Sequence, residues 1–120
     1  MGWDGYACRV QRDDWLKEDV LERLTDTDPV LLDFKDAAKG FGLEFALQDA
    51  HLCCRDTARM LRRGTCEEPY NTEWWPDKVK ELASKARWDF PLGPEDAGSK
   101  ETAKLFLELC AKHGLGVRFD

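Results

Sequence analysis

The two ends of this chain share one pattern and its middle carries another. Residues 6–10 (Tyr6, Ala7, Cys8, Arg9, Val10) and 115–120 (Leu115, Gly116, Val117, Arg118, Phe119, Asp120) alternate apolar with other side chains, the two-residue period of a strand with one buried face. A lone strand leaves its backbone donors and acceptors unsatisfied, so the most economical arrangement pairs the two ends with each other. The segments between them repeat at helical spacing and must cover that sheet. The expected fold is therefore α+β and mostly α. It has about five helices packed on a small sheet formed by the N- and C-terminal strands, in a single globular domain over 1–120.

Local signals place the helices. Asp13 and Asp14 offer N-cap oxygens to a helix over about 15–24, with Leu16, Val20, Leu21 and Leu24 forming its apolar stripe. Asp28-Pro29 is a strong start for a second helix over 30–39, because proline in the first turn gives up only an amide hydrogen that would be orphaned there. Residues 43–47 alternate like a strand. Leu43, Leu47, Ala50, Cys54, Ala58 and Leu61 nevertheless keep helical spacing, and this longer periodicity predicts a third helix over about 43–63. Residues 64–73 hold Gly, Pro, Asn and paired glutamates and read as a surface loop. Pro76 opens a fourth helix ending near Trp88, and Ser99 is a candidate cap for a fifth that runs to His113.

Composition narrows the functional classes. The chain has 120 residues, 42% hydrophobic and 35% charged, with a formal net charge of −6. That is enough apolar chain for one core and too few basic groups for a phosphate-backbone binder, so no nucleic-acid partner is expected. No apolar run approaches the ~20 residues of a membrane span, and the first residues lack a secretory pattern, which predicts no membrane association and a cytoplasmic location. Five cysteines, two of them adjacent (Cys53, Cys54), suit reduced thiols better than disulfides.

Several constellations bear on chemistry. His51-x-x-Cys54 and Cys110-x-x-His113 each place a thiol and an imidazole on one helix face, and two such pairs on packed helices could hold a tetrahedral Zn²⁺. Cys54 and Cys110 also fall on apolar stripes, where cysteine serves as a small hydrophobe, and His113 suits a helix C-terminus. The plain reading is thus no metal and no cofactor, with His51, Cys54, Cys110 and His113 as the outside case. Cys66 sits in a loop between Arg62, Arg63 and Glu67, Glu68, whose charges oppose one another in setting a thiol's reactivity. Phosphate-cradling glycine loops and nucleophile elbows are missing from the sequence, so no catalytic residue is assigned and no enzymatic activity is expected.

Aromatic residues are the remaining signal. Five tryptophans is a high count, and Tyr70, Trp74 and Trp75 gather beside Glu73 and Asp77 ahead of Pro76. Indole and phenol rings dominate binding hot spots, and carboxylates around them favour a basic protein partner. A competing reading has one of Trp74 and Trp75 in the core while the other covers its edge, with Trp3, Trp15 and Trp88 in the core or at its margin. Glu18, Asp19, Glu22, Asp26, Asp33 and Asp36 would form an acidic face on the first two helices. Together these features predict a small acidic, non-catalytic interaction module of the immunity, inhibitor or accessory-regulator type that binds a more basic protein. The alternatives are a zinc-binding domain built on the His/Cys cluster and a small-molecule binder.

Overall fold

The computed structural model describes residues 4–40, 47, 49–53 and 55–120. Their order is β1 (Gly5–Asp13), β2 (Glu18–Arg23), α1 (Val30–Gly40), β3 (His51–Leu52), α2 (Arg55–Thr65), β4 (Glu73–Trp74), α3 (Pro76–Lys85), α4 (Ala97–Lys112) and β5 (Gly116–Phe119). The two ends pair as expected: β1 and β5 run antiparallel, from Gly5 opposite Phe119 to Cys8 opposite Gly116. The sheet runs β2-β1-β5-β4, with β3 joining the β2 side of β1 at Gly5 and Tyr6.

Alternation along β1, β5 and β4 gives the sheet two unlike faces. Ala7, Val117, Phe119 and Trp74 enter the core with Phe34 of α1, Leu61 of α2, Val79 of α3 and Phe106 of α4. Phe34 and Phe106 meet with ring centroids 6.3 Å apart, and Trp74 stands edge-on to Phe119 at 4.7 Å. Glu73, Arg118, Tyr6 and His51 are register neighbours in a single row across β4, β5, β1 and β3 on the opposite face. Helix α4 packs against α1, α2 and α3, so one helix joins the other three to the sheet.

The helix count needs correction. Four helices stand among the described residues, because the segment expected as a helix over 15–24 is the turn and second strand of a hairpin. The capping signal at its start is real. Asp13 Oδ1 accepts the backbone N–H groups of Trp15 and Leu16 at 2.9 and 3.0 Å, the bonds an N-cap would make. The chain then reverses through Lys17 at φ 56° and pairs Glu18–Arg23 with β1. Short aspartate bonds of this kind close a turn as readily as they open a helix, and cross-strand pairing decides between them.

The third helix is shorter than expected. It begins at Arg55, after the short strand β3, while residues 43–46 and Cys54 lie outside the described residues. The remaining elements follow their local signals. Asp28 Oδ1 accepts the Val30 N–H at 3.0 Å at the start of α1, and α3 opens at Pro76. At α4 the N-cap position belongs to Asp96 rather than to Ser99, which lies inside the helix.

Two glycines are required by close approach. A Cβ at Gly64, within α2, would lie 2.5 Å from the Trp88 ring, which seats that indole on the helix. A Cβ at Gly116 would come within 2.8 Å of both the Trp74 carbonyl oxygen and Leu21 Cδ2, where Leu21 folds over β5 from the hairpin. Gly116→Ala is expected to destabilise the protein by roughly 1–3 kcal/mol through overpacking against backbone. Gly98→Ala, with nothing within 4 Å of its Cβ, should be neutral or slightly stabilising. Urea denaturation of the two variants beside the parent checks this contrast.

Candidate functional site

The loop that carries the expected aromatic cluster leads into β4, and strand alternation splits the cluster. Trp74 is 2% exposed and belongs to the core, while Trp75 is 39% exposed at the start of α3 and Tyr70 is 47% exposed upstream. One indole supports the packing and the other stands at its edge, so Trp74 offers no ring to a partner. Glu73 and Asp77 are both exposed.

Trp75 and Glu73 line a groove of about 520 Å³ together with Asn71, Thr72, Arg118 and Asp120. Its walls follow from the pairing of the chain end. The Phe119 N–H donates to the Thr72 carbonyl at 2.8 Å and holds the C-terminal residues against the loop, and Asn71 turns that loop at φ 45°. Arg118 is engaged within this structure: its Nε lies 3.5 Å from the Asp120 carboxylate and its Nη1 donates to the Leu21 carbonyl at 3.4 Å. The groove therefore presents the exposed Glu73 carboxylate beside an exposed indole, while Asp120 and the Arg118 guanidinium are paired with each other. The sequence reading missed Arg118 and Asp120 because their role depends on which loop the last strand lies against.

The thiols and imidazoles are dispersed. The Cys110 thiol is buried in the core, where desolvation pushes its pKa well above the ordinary value. Burial likewise pushes Cys8 up to about 11, with Arg118 opposing the shift. Both are protonated at neutral pH and act as small hydrophobes. His113 caps α4 and bonds Asp33 of α1 at 2.6 Å, whereas His51 stacks on Tyr6 at 4.4 Å with Asp4 at 3.6 Å. Arg23 covers Tyr6, its guanidinium 3.8 Å from the ring centroid. Among the described residues no group of three or more His, Cys, Asp or Glu side chains is arranged to hold a metal ion, and Cys54 lies outside them. Cys66 is exposed at the C-terminal end of α2 with φ 59°, while nearby Arg62 is paired with Glu68 at 3.4 Å.

The anticipated acidic face is also rearranged. Glu18, Asp19 and Glu22 belong to β2, and Asp33 is taken up by His113 and Lys112. Trp15, expected in or near the core, is 92% exposed at the tip of the β1–β2 hairpin beside Leu16 at 55%. The hairpin is anchored at its base by Arg9, which donates to both carboxylate oxygens of Asp28 at 2.6 and 2.9 Å. No helix among the described residues is long and apolar enough to cross a membrane. No protein-family model, curated protein or solved structure matches the chain.

The hydrogen bonds from Arg9 hold Asp28 at about 2, below its ordinary value of 3.8. A carboxyl depressed in the folded state contributes stability that is fully present above pH ~4 and lost as the pH falls through about 2. Bonds from His113 and Lys112 lower Asp33 in the same sense. Asp28→Asn is expected to lower stability at neutral pH, and its deficit relative to the parent should shrink between pH 4 and pH 2. Urea midpoints of both proteins across that range measure the effect. A deficit that stays constant would mean the ion pair contributes nothing.

Proposed function

We propose that this protein is a non-catalytic interaction module that binds a more basic protein through the groove beside Trp75. The observation that carries this reading is an exposed indole on the wall of a groove holding the carboxylates of Glu73 and Asp120. A lysine or arginine side chain entering the groove would meet Glu73, compete with Arg118 for Asp120, and lay its cationic head on the indole face. Tyr70 and Asp77 extend the same aromatic and acidic surface to either side of the β4 entrance. The formal charge of −6 favours encounter with a cationic protein and disfavours nucleic acid.

Affinity capture from the native lysate tests the reading. The parent should recover a protein of net positive charge whose retention falls as salt rises. Trp75→Ala should weaken retention by about tenfold or more, since a central indole is commonly worth 2 kcal/mol or more at an interface. Glu73→Lys should weaken it further at low salt and flatten the loss with salt, since one attractive charge becomes a screened repulsion. Equal recovery by all three proteins, or a partner that ignores salt, would contradict the assignment.

A further inference from the structure

Strand β1 is longer than the strand beside it. Its last β5 pair is Cys8 with Gly116, yet β1 continues through Asp13 with, among the described residues, only β2 at its side. At ~3.4 Å per residue, the five positions 9–13 carry the hairpin about 17 Å past the end of β5. Backbone direction along this stretch follows from the register. The Ala7 N–H donates to the Ala50 carbonyl and the Ala7 carbonyl accepts from the Leu24 N–H, so residue 7 faces the β2–β3 side. The pairing with β2 then proceeds without a bulge from Cys8–Arg23 to Asp13–Glu18. Residues 9, 11 and 13 therefore bond to β2, whereas Val10 and Arg12 turn their backbone N–H and C=O groups to the other side, beyond the reach of β5. Val10, Gln11 and Arg12 are all exposed.

The other strand edges are protected. Strand β2 carries Glu18, Asp19 and Glu22 along its length, and β4 is two residues long, both recognised ways of discouraging further pairing. The free stretch of β1 instead carries charges of both signs, Arg9 and Arg12 with Asp13, which can complement one another across a two-fold axis. Arg12 lies opposite Asp19 within its own hairpin, and Arg9 is bound to Asp28.

We propose that this edge pairs with the same edge of a second copy of the chain, antiparallel about a two-fold axis at Gln11. Only residues 10 and 12 offer outward backbone groups, so the axis can fall at position 10, 11 or 12. An axis at 10 would set Arg12 opposite Cys8, where β5 already lies. One at 12 would bring two Arg12 side chains face to face, which is unfavourable. The axis at Gln11 pairs Val10 with Arg12 of the second copy and Arg9 with Asp13 of the second copy, each twice, so opposite charges meet at both ends of the seam. The same register runs the hairpin tip of each copy toward the start of β5 in the other, and this gives the 92% exposed Trp15 a surface to cover.

Sedimentation equilibrium over a wide concentration range tests the pairing. The parent should move from 13.8 kDa toward twice that mass. Val10→Lys places a lysine opposite each Arg12 and should weaken association by about tenfold or more, whereas Val10→Glu should preserve or strengthen it. Both substituted positions, 10 and 11, are exposed, and matched circular dichroism spectra would establish that the variants fold. Gln11→Cys should form a covalent dimer linked 11 to 11 on mild oxidation, because residues facing across a non-hydrogen-bonded pair stand ~4.5 Å apart at Cα. A parent that stays monomeric at every concentration would overturn the proposal. So would a dimer indifferent to the sign of charge at position 10, or a Gln11→Cys dimer cross-linked only through other cysteines. None of these results bears on the groove beside Trp75, which lies on β4 and β5.

Discussion

The pairing of β5 with β1 is the contact on which the remaining structure depends. Strand β5 is only four residues long, but it lies between β1 and β4 and is therefore bonded on both sides. Val117 and Phe119 carry the sheet's side of the core and meet Trp74 there, while Arg118 on the opposite face meets Glu73, Tyr6 and the hairpin carbonyl of Leu21. Without those four residues, β4 would have no strand to pair with and the Trp75 groove would lose one wall. The order of events in the chain reflects this. The last of these elements closes the sheet begun by the first, so the long-range contacts that complete the core form between residues more than a hundred positions apart.

Terminal alternation was readable in sequence because each end has only one apolar face to satisfy and no competing periodicity. The starts of α1 and α3 were readable for a related reason: proline and aspartate act within one turn and need no distant partner. The hairpin was not. Leu16, Val20, Leu21 and Leu24 satisfy a helical stripe on paper, yet in the structure Leu21 is buried against Gly116 while Leu16 is exposed at the tip. What decides between the two is the pairing of six residues of β2 with β1, a tertiary fact that no window of fifteen residues contains. The site was half legible. Trp75, Glu73 and Asp77 stand where composition suggested an aromatic and acidic surface. Trp74 was drawn inward by its position opposite Val117, and Arg118 and Asp120 arrived from the far end of the chain.

Charge is handled locally throughout the molecule. Asp28 is held by Arg9, Asp33 by His113 and Lys112, and Asp96 by Arg59 at 3.0 Å. Carboxylates that would otherwise burden an acidic chain are thus tied to cations at the joints between elements, where each bond also fixes a geometry. Glu73 keeps an exposed position beside an indole, and this local arrangement, rather than the net charge, is the basis on which the β4–β5 end is proposed as the recognition surface. Elsewhere, Cys110 fills the core, His113 closes α4 onto α1, and His51 extends the stack of Arg23 on Tyr6.

Native-state hydrogen exchange on dilute protein tests the central place of the terminal pairing most directly. The amides of Tyr6 and Arg118, register partners across β1 and β5, should exchange only through global unfolding and show a protection free energy equal to the overall stability. The amides of Val10 and Arg12, on the unpaired edge, should exchange far faster. Ready exchange at Tyr6 and Arg118 while the α4 amides remain protected would contradict the account, since the sheet would then open without the core and could not be what organises it.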